Sequence, residues 1–251
     1  MKKLPIGIQT FSEIQSAADY IYVDKTELIY RVITGAKVNF LSRPRRFGKS
    51  MTISTIKSIY QGEKQYFNGL WIEDKWNWEK IHPVIHFSFA SIDYHHLGVE
   101  NALMLTLQQI AEKHNIVLIG SSHSQMFQEL IEKLTALKGR VVILIDEYDK
   151  PIIDFLEKEK RPIAEQNRAA LRQFYSIIKD ADPYIEFFLM TGVSKFSQTG
   201  IFSNLNHLKD LTLNENFVNL VGYTPNELNQ YFAEWIDYAW QSFPDLSKEQ
   251  F

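Results

Sequence analysis

The chain has 251 residues, of which 45% are hydrophobic and 23% are charged, and its net charge at pH 7 is -3. This length suits one large α/β domain with room for a small appendage, and the ordinary composition excludes a largely disordered chain. The absence of cysteine excludes disulfides, a cysteine nucleophile and thiolate metal sites, while the mild acidity gives no basic surface for nucleic acid.

Strand and helix patterns alternate along the chain, with turn residues between them. Short runs rich in β-branched and aromatic residues predict strands at 38–41, 84–89, 141–145, 185–190 and 208–213. Apolar residues at helical spacing predict helices at about 49–60, 99–114, 125–137 and 162–179. Residues 224–227 form a capping box with proline at the first helical position, which predicts a further helix to about residue 240. The alternation indicates an α/β fold.

An arginine-rich turn joins the first predicted strand to the helix at 49–60. Residues 43–50 read Arg-Pro-Arg-Arg-Phe-Gly-Lys-Ser and match the end of the phosphate-loop pattern Gly-x-x-x-x-Gly-Lys-Ser/Thr, with Arg43 at the first glycine position. In such a loop, N–H groups at the helix N-terminus bind phosphate, the lysine reaches the β- and γ-phosphates, and the serine ligates Mg²⁺. The alternative is a solvent-facing basic turn. We predict a nucleotide site formed by Arg45, Arg46, Phe47, Gly48, Lys49, Ser50 and Met51.

The buried-type strand at 141–145 ends abruptly in an acidic segment, residues 146–149. In a P-loop ATPase the aspartate at this place holds Mg²⁺, and the adjacent glutamate orients and deprotonates the attacking water. The alternative is that the acids only mark a strand leaving the core. The 97 positions between Lys49 and Asp146 leave room for an inserted strand, and P-loop folds with that strand carry a catalytic glutamate. We therefore predict ATP and Mg²⁺ as cofactors, Ser50 and Asp146 as metal ligands, and Lys49 and Glu147 as catalytic residues.

The strand at 185–190 is followed by Thr-Gly-Val-Ser at 191–194. A polar side chain at this end of a neighbouring strand could sense the γ-phosphate, and either Thr191 or Ser194 could do so; we take Ser194 as the third catalytic candidate. A Gly- and Ser-containing turn without function is the alternative. The motifs together predict a P-loop NTPase fold with three α/β/α layers, a mostly parallel central sheet with an additional strand, and the start of a helical lid.

The sequence resembles the bacterial AAA-ATPase-like family, whose members carry both the loop at 43–50 and the segment Ile-Asp-Glu-Tyr-Asp-Lys-Pro, here at 145–151. The likeness extends to residues 4–7, 22–26, 191–197 and 222–224, and so to nearly the whole chain. It implies that Arg43 is an expected residue of the loop. Many relatives continue into a C-terminal domain resembling PD-(D/E)XK nucleases, so any contact with nucleic acid would belong to that domain, outside this chain.

We divide the chain into an N-terminal segment that packs on the ATPase core (1–37), the P-loop ATPase core (38–213) and the start of a helical lid subdomain (214–251). Ser247 and Gln250 have capping-box spacing for a helix with no residues left to form it, so we expect the lid to be truncated. The longest aliphatic run, 141–145, is far short of the ~20 residues of a membrane span, and polar residues interrupt the start of the chain. We expect a cytoplasmic protein without membrane contacts.

In related ATPases an N-terminal segment often packs against the base, which makes residues 22–26 a candidate adenine contact. The alternative is that Asp24 and Lys25 form a surface ion pair and that Tyr22 is a core residue.

The leading functional hypothesis is Mg²⁺-dependent ATP hydrolysis coupled to opening and closing of the lid. The second is a switch or scaffold module that hydrolyses ATP slowly and regulates an appended nuclease-like domain. Nucleic-acid processing, the third, rests only on the C-terminal domain of relatives. A homo-oligomer that supplies an arginine from a neighbouring subunit would make turnover rise steeply with protein concentration.

Overall fold

A parallel sheet forms the centre of the computed structural model, which describes residues 1–17, 19–194 and 208–241. Its strands lie in the order β2-β3-β4-β1-β5, and each pairs in parallel with its neighbours. The strands are β1 (Val38–Ser42), β2 (Val84–Ser88), β3 (Val141–Asp146), β4 (Ile185–Gly192) and β5 (Lys209–Asp210). All five predicted strands are thus confirmed, the fifth as two paired residues.

Helices connect the strands and cover both faces of the sheet. They are α1 (Phe11–Ala17), α2 (Thr26–Ile33), α3 (Lys49–Tyr60), α4 (Tyr94–Leu97), α5 (Val99–Glu112), α6 (His123–Lys138), α7 (Lys150–Ile153), α8 (Arg161–Asp180), α9 (Pro225–Tyr231) and α10 (Ala233–Trp240). Short 3₁₀ turns lie at Lys64–Tyr66, Lys158–Lys160, Asp182–Tyr184 and Glu215–Phe217. Within the described ranges no helix is long and apolar enough to cross a membrane.

The core has two parts because successive side chains of a strand point to opposite faces of the sheet. On β3, Ile143 packs into a cluster that includes Phe127 of α6 and Phe174 of α8, whose rings stack at 4.4 Å between centroids. The next residue, Leu144, packs into the cluster on the other face, which includes Ile56 of α3. A strand buried on both faces reads as an unbroken apolar run, which is why 141–145 lacks alternation. The three-layer α/β/α fold is confirmed.

Strand β2 is the strand predicted between Lys49 and Asp146, and it lies at the edge of the sheet beside β3. Strand β4, which follows the acidic segment along the chain, lies between β1 and β3. Its register pairs Gly192 with Ser42 of β1 and Met190 with Ile145 of β3. Since all three strands are parallel, their carboxyl ends lie at one edge of the sheet. The loops after β1, β3 and β4, which carry the predicted site, therefore begin beside one another.

The prediction of one helix from 225 to about 240 is wrong in one respect. The segment forms two helices, α9 and α10, which are separated at Phe232. The break lets the Phe232 ring pack on Tyr223, with 5.2 Å between ring centroids, and the Trp235 indole donate to the carbonyl of Lys2.

Sequence analysis did not predict α1, α2, α4 or α7. Residues 195–197 of the resemblance and 242–251 of the lid lie outside the described residues, and the domain boundaries stay predictions.

Candidate nucleotide site

In the loop between β1 and α3, the backbone is in the left-handed conformation at Arg46 (φ 67°) and Gly48 (φ 93°), and not at Arg43. Gly48 is the N-cap of α3 and directs the following N–H groups out of the helix N-terminus. Arg43 anchors the start of the loop instead. Its N–H donates to Gly192 O at 3.1 Å, and its guanidinium donates to the carbonyl of Thr212 after β5. This anchoring accounts for arginine at a position where the general pattern has glycine.

Lys49 begins α3 and is only 6% exposed. Its ammonium donates to the carbonyls of residues 43 and 44, both at 2.8 Å, and so lies within its own loop. Burial lowers the pKa of Lys49, and the charges of nearby residues also act on it: Asp146, Glu147 and Asp149, which raise it, and Arg45, which lowers it. The lysine therefore lies close enough to the acidic segment for their charges to interact.

Asp146, the last residue of β3, is 5% exposed. Its Oδ1 accepts hydrogen bonds from the Thr191 hydroxyl at 2.5 Å and from the N–H of Glu147 at 3.1 Å. Thr191 is fully buried, so its hydroxyl is committed to orienting the carboxylate of Asp146. The side chain of Ser194, the other candidate for sensing the γ-phosphate, hydrogen-bonds to Asp149.

Glu147 leaves the strand in a left-handed backbone conformation, with φ at 55°. Its side chain is half-buried. Burial raises the pKa of Glu147, the neighbouring Asp146 raises it further, and the positive charges of Lys150, Lys49 and Arg45 oppose the rise. A raised pKa makes the carboxylate a stronger base.

Ser194 lies just beyond β4 and is tied to the acidic segment through its backbone. Its N–H donates to Asp149 at 2.6 Å, and its carbonyl accepts from the Tyr148 hydroxyl at 3.0 Å. The structure thus brings Ser194 to the same edge as Lys49 and Glu147.

The other predicted binding residues take different positions. Arg45 and Arg46 are exposed. Phe47 is 44% exposed, and its carbonyl accepts a hydrogen bond from Gly222 N at 2.8 Å, which joins the loop to the segment before α9. The Met51 side chain is partly buried and packs against the apolar cluster that includes Ile56.

Ser50 and Asp146 supply a hydroxyl and a carboxylate oxygen, the hard donors that Mg²⁺ prefers. In the part of the chain that the structure describes, no group of three or more His, Cys, Asp and Glu side chains could hold a metal ion by itself. Mg²⁺ commonly binds through one or two protein ligands, with phosphates and water completing its shell. The hydrogen bond from Thr191 fixes the carboxylate of Asp146, as the outer shell of a metal site usually does. The residues present therefore fit a Mg²⁺ shared with a nucleotide.

The surface ion pair between Asp24 and Lys25, an alternative for the N-terminal segment, is wrong. The Asp24 carboxylate accepts from Thr26 N at 2.8 Å, at the start of α2, and from Trp71 N at 2.8 Å. Lys25 pairs with Glu227 of α9 at 2.5 Å. The other part of that alternative holds, since Tyr22 packs edge-on against the core residue Phe11, with 5.3 Å between ring centroids.

Sequence analysis assigned no role to Tyr148, Asp149 or Gly192, although all three join the ends of β3 and β4. A Cβ at Gly192 would lie 2.5 Å from the Tyr148 ring, so only glycine lets the ring pack there. The one sequence feature that could have indicated a role for Asp149 is that it is a third acidic residue, close after Asp146 and Glu147. Its partner could not be found without knowing that β4 lies beside β3.

Residues 5–202 match the model of a family described as "Predicted AAA-ATPase". The chain is also 42% identical, over 236 residues, to the "Uncharacterized protein in vnfD 5'region" of Azotobacter chroococcum mcd 1. That match covers 92% of this chain and 45% of the relative, so the chain spans less than half of the relative's length. No solved structure gives a significant match. Because the family model covers most of the sequence, the chain belongs to the predicted AAA-ATPase family.

Proposed function

We propose that this chain binds ATP together with Mg²⁺ and hydrolyses it. The observation that carries the proposal is the meeting of Lys49, Asp146 and Glu147 at the carboxyl edge of a parallel sheet, beside the N-terminus of α3. Ligands of open α/β sheets bind at this edge, and a helix N-terminus favours a phosphate. The family description supports ATP as the nucleotide.

Each residue has a distinct task in this proposal. The N–H groups at the start of α3 and the Lys49 ammonium bind the phosphates, after Lys49 exchanges its two loop carbonyls for phosphate oxygens. Ser50 and Asp146 would hold Mg²⁺, which when bound supplies positive charge against the phosphates. Glu147 accepts the proton of the attacking water, and Ser194 contacts the γ-phosphate. Arg45 is exposed and near Glu147, where it can add a charge-assisted hydrogen bond.

The proposal includes coupling of hydrolysis to the C-terminal helices. Phe47 in the phosphate loop bonds to Gly222, three residues before α9 begins, so a nucleotide that reshapes the loop acts directly on this connection. A switch that hydrolyses ATP slowly would use the same contact. The steady-state rate of ATP hydrolysis therefore distinguishes the switch from an ATPase that couples turnover to movement of the helices. Homo-oligomerisation, a cytoplasmic location and nucleic-acid contact through a further domain stay predictions.

The substitution Glu147→Gln tests the proposal, since it removes the base and keeps the size of the side chain. We expect hydrolysis to fall by about 10²–10⁴-fold, because general bases typically contribute that much. ATP affinity, measured by calorimetric titration with Mg²⁺, should stay within a few-fold of wild type. Glu165→Gln on the exposed surface of α8 is the matched control and should leave both quantities unchanged. Unchanged turnover in Glu147→Gln would rule out the base, and a wild-type protein that binds no ATP would rule out the whole proposal.

A further inference from the structure

Asp149 is a buried acid with no role in the proposed chemistry. It is 1% exposed, and its Oδ2 accepts hydrogen bonds from Val193 N at 3.0 Å and Ser194 N at 2.6 Å. Burial raises the pKa of Asp149, and the hydrogen bonds from the backbone of Ser194 and Val193 oppose that rise. Burying a carboxylate is costly unless it is hydrogen-bonded, so these two N–H groups, together with a hydrogen bond from the Ser194 side chain, stabilise Asp149 in this position.

The residue before it makes a second connection to the same strand end. The Tyr148 N–H donates to Thr191 O at 3.0 Å, and the Tyr148 hydroxyl donates to Ser194 O at 3.0 Å. The Tyr148 ring covers Gly192 so closely that a Cβ there would overlap it. Tyr148 and Asp149 together hold the segment that follows Glu147 against the end of β4.

The end of β4 is in turn connected to the other parts of the site. Thr191 donates to Asp146, and the carbonyl of Gly192 accepts from Arg43 at the start of the phosphate loop. Residues 191–194 therefore contact the metal-binding candidate through the Thr191 hydroxyl, and the phosphate loop and the Glu147 segment through their backbone. Asp149 is the acid that fixes the last two residues of this stretch.

We propose that Asp149 is a positioning residue, which holds Glu147 and Ser194 in one fixed arrangement by binding the N–H groups of Val193 and Ser194. The inference rests on the proposed ATP hydrolysis, because it concerns the alignment of that reaction. Since a misplacement of about 1 Å can lower a rate by about 10²-fold, loss of this contact lowers kcat much more than it lowers ATP affinity. A residue that served only the fold would lower stability and leave kcat of the folded protein unchanged.

The first measurement is amide hydrogen exchange of the nucleotide-free protein, followed by ¹H–¹⁵N NMR. In Asp149→Ala the amides of Val193 and Ser194 lose their acceptor, and we expect their exchange to become at least about tenfold faster. In Asp149→Asn the amide oxygen can still accept from both N–H groups, so protection should be largely retained. Asp182→Ala, a substitution of an aspartate near the opposite end of β4, is the matched control and should leave both amides as in wild type. Unchanged exchange in Asp149→Ala would overturn the inference.

The second measurement is the separation of kcat from ATP affinity in the same variants. We expect Asp149→Ala to lose about 10²-fold in kcat with affinity within about threefold of wild type, and Asp149→Asn to recover most of the loss. Equal turnover in Asp149→Ala and wild type, or an equal loss of kcat and affinity, would overturn the inference and leave the proposed hydrolysis standing. A wild-type protein that binds ATP without hydrolysing it would overturn the proposed hydrolysis, and the inference with it.

Discussion

Glu147 occupies a backbone conformation that ordinary side chains avoid. Its φ of 55° is one of three positive values at non-glycine residues in the described chain, the others being at Arg46 and Asn115. Left-handed geometry costs an L-residue roughly 1–2 kcal/mol, and asparagine tolerates it better than other non-glycine residues. Strain of this kind persists where the surrounding structure enforces it, and two of the three positions lie in the candidate site.

Replacement of Glu147 by asparagine should relieve this strain. We expect Glu147→Asn to have a free energy of unfolding about 1 kcal/mol higher than that of Glu147→Gln, measured by urea denaturation without nucleotide. Both variants carry a neutral amide, so the loss of the charge next to Asp146 cancels in the comparison.

The control for this comparison is the same pair of substitutions at Glu165, within α8. Asparagine is the poorer helix former, so Glu165→Asn should be less stable than Glu165→Gln by a few tenths of a kcal/mol. If Glu147→Asn is no more stable than Glu147→Gln, the left-handed conformation of Glu147 is not strained.

The residues that the sequence predicted are those whose role follows from local order along the chain. Lys49 follows the turn after β1 and Asp146 is the last residue of β3, so their places along the chain put both at the carboxyl edge. The role of Thr191 as partner of Asp146 depends on which strands are neighbours, and that of Asp149 depends on the path after β4. Neither adjacency can be found from hydrophobic periodicity.

At the scale of elements, one ion pair joins the C-terminal helices to the N-terminal segment. Lys25 and Glu227 meet at 2.5 Å, and their side chains are only 11% and 21% exposed. Glu227 also accepts from Thr224 N at 2.7 Å and so completes the capping box that begins α9. One carboxylate thus both starts the helix and attaches it to the segment before α2.

A double-mutant cycle of Lys25→Met and Glu227→Gln should measure this attachment. We expect a coupling energy of about 1–3 kcal/mol in urea denaturation at pH 7, because the hydrogen bond is charged and largely shielded from water. The exposed pair Lys160 and Glu157, with 49% and 69% exposure, is the matched control and should give about 0–1 kcal/mol. A coupling no larger than that of the control pair would show that Lys25 and Glu227 do not hold α9 in place.

The pH dependence of the coupling has a definite sign. Burial alone would raise the pKa of Glu227, but hydrogen bonds from Lys25 and Thr224 hold it below its ordinary value. Stability from a carboxylate with a lowered pKa is fully present above its unfolded pKa of about 4.3, and it is lost as the pH falls through the lower folded value. The coupling energy should therefore be constant from about pH 8 to pH 5 and decline progressively below about pH 4.

Long elements with a clear period were predictable, and those whose limits depend on tertiary contacts were not. The helix at 49–60 has the predicted bounds, because the arginine-rich loop at 43–48 precedes it and Gly62 follows it. The break at Phe232 has no glycine or proline to signal it, and it follows from where the rings of Phe232 and Trp235 pack. Helix α1, of seven residues, is too short to give a period.

At the scale of the whole molecule, the strand order determines which loops meet. With β4 between β1 and β3, the arginine-rich loop at 43–48, the acidic segment and residues 191–194 all lie at the same edge of the sheet. The alternation of strand and helix predicted a parallel sheet, and the 97 positions between Lys49 and Asp146 predicted a strand within them, which is β2. The position of β4 between β1 and β3 does not follow from that spacing, because β4 comes after Asp146 in the chain. The attachment of α9 to the N-terminal segment joins residues that are 202 positions apart, and no local sequence pattern predicts it.

Binding of ATP at this edge should stabilise the whole fold by mass action. At a ligand concentration of about 100 Kd, the gain is about 2.7 kcal/mol, which for a protein of this size corresponds to roughly 5–10 °C in Tm. We expect ATP with Mg²⁺ to raise the Tm of Glu147→Gln, which does not consume the ligand, and chelation of Mg²⁺ by EDTA to reduce the shift. In Lys49→Ala the shift should largely disappear, while Lys64→Ala, an exposed lysine beyond α3, should retain it. An equal shift in both lysine variants would mean that ATP binds elsewhere, since the Lys49 ammonium would then make no contact with the nucleotide.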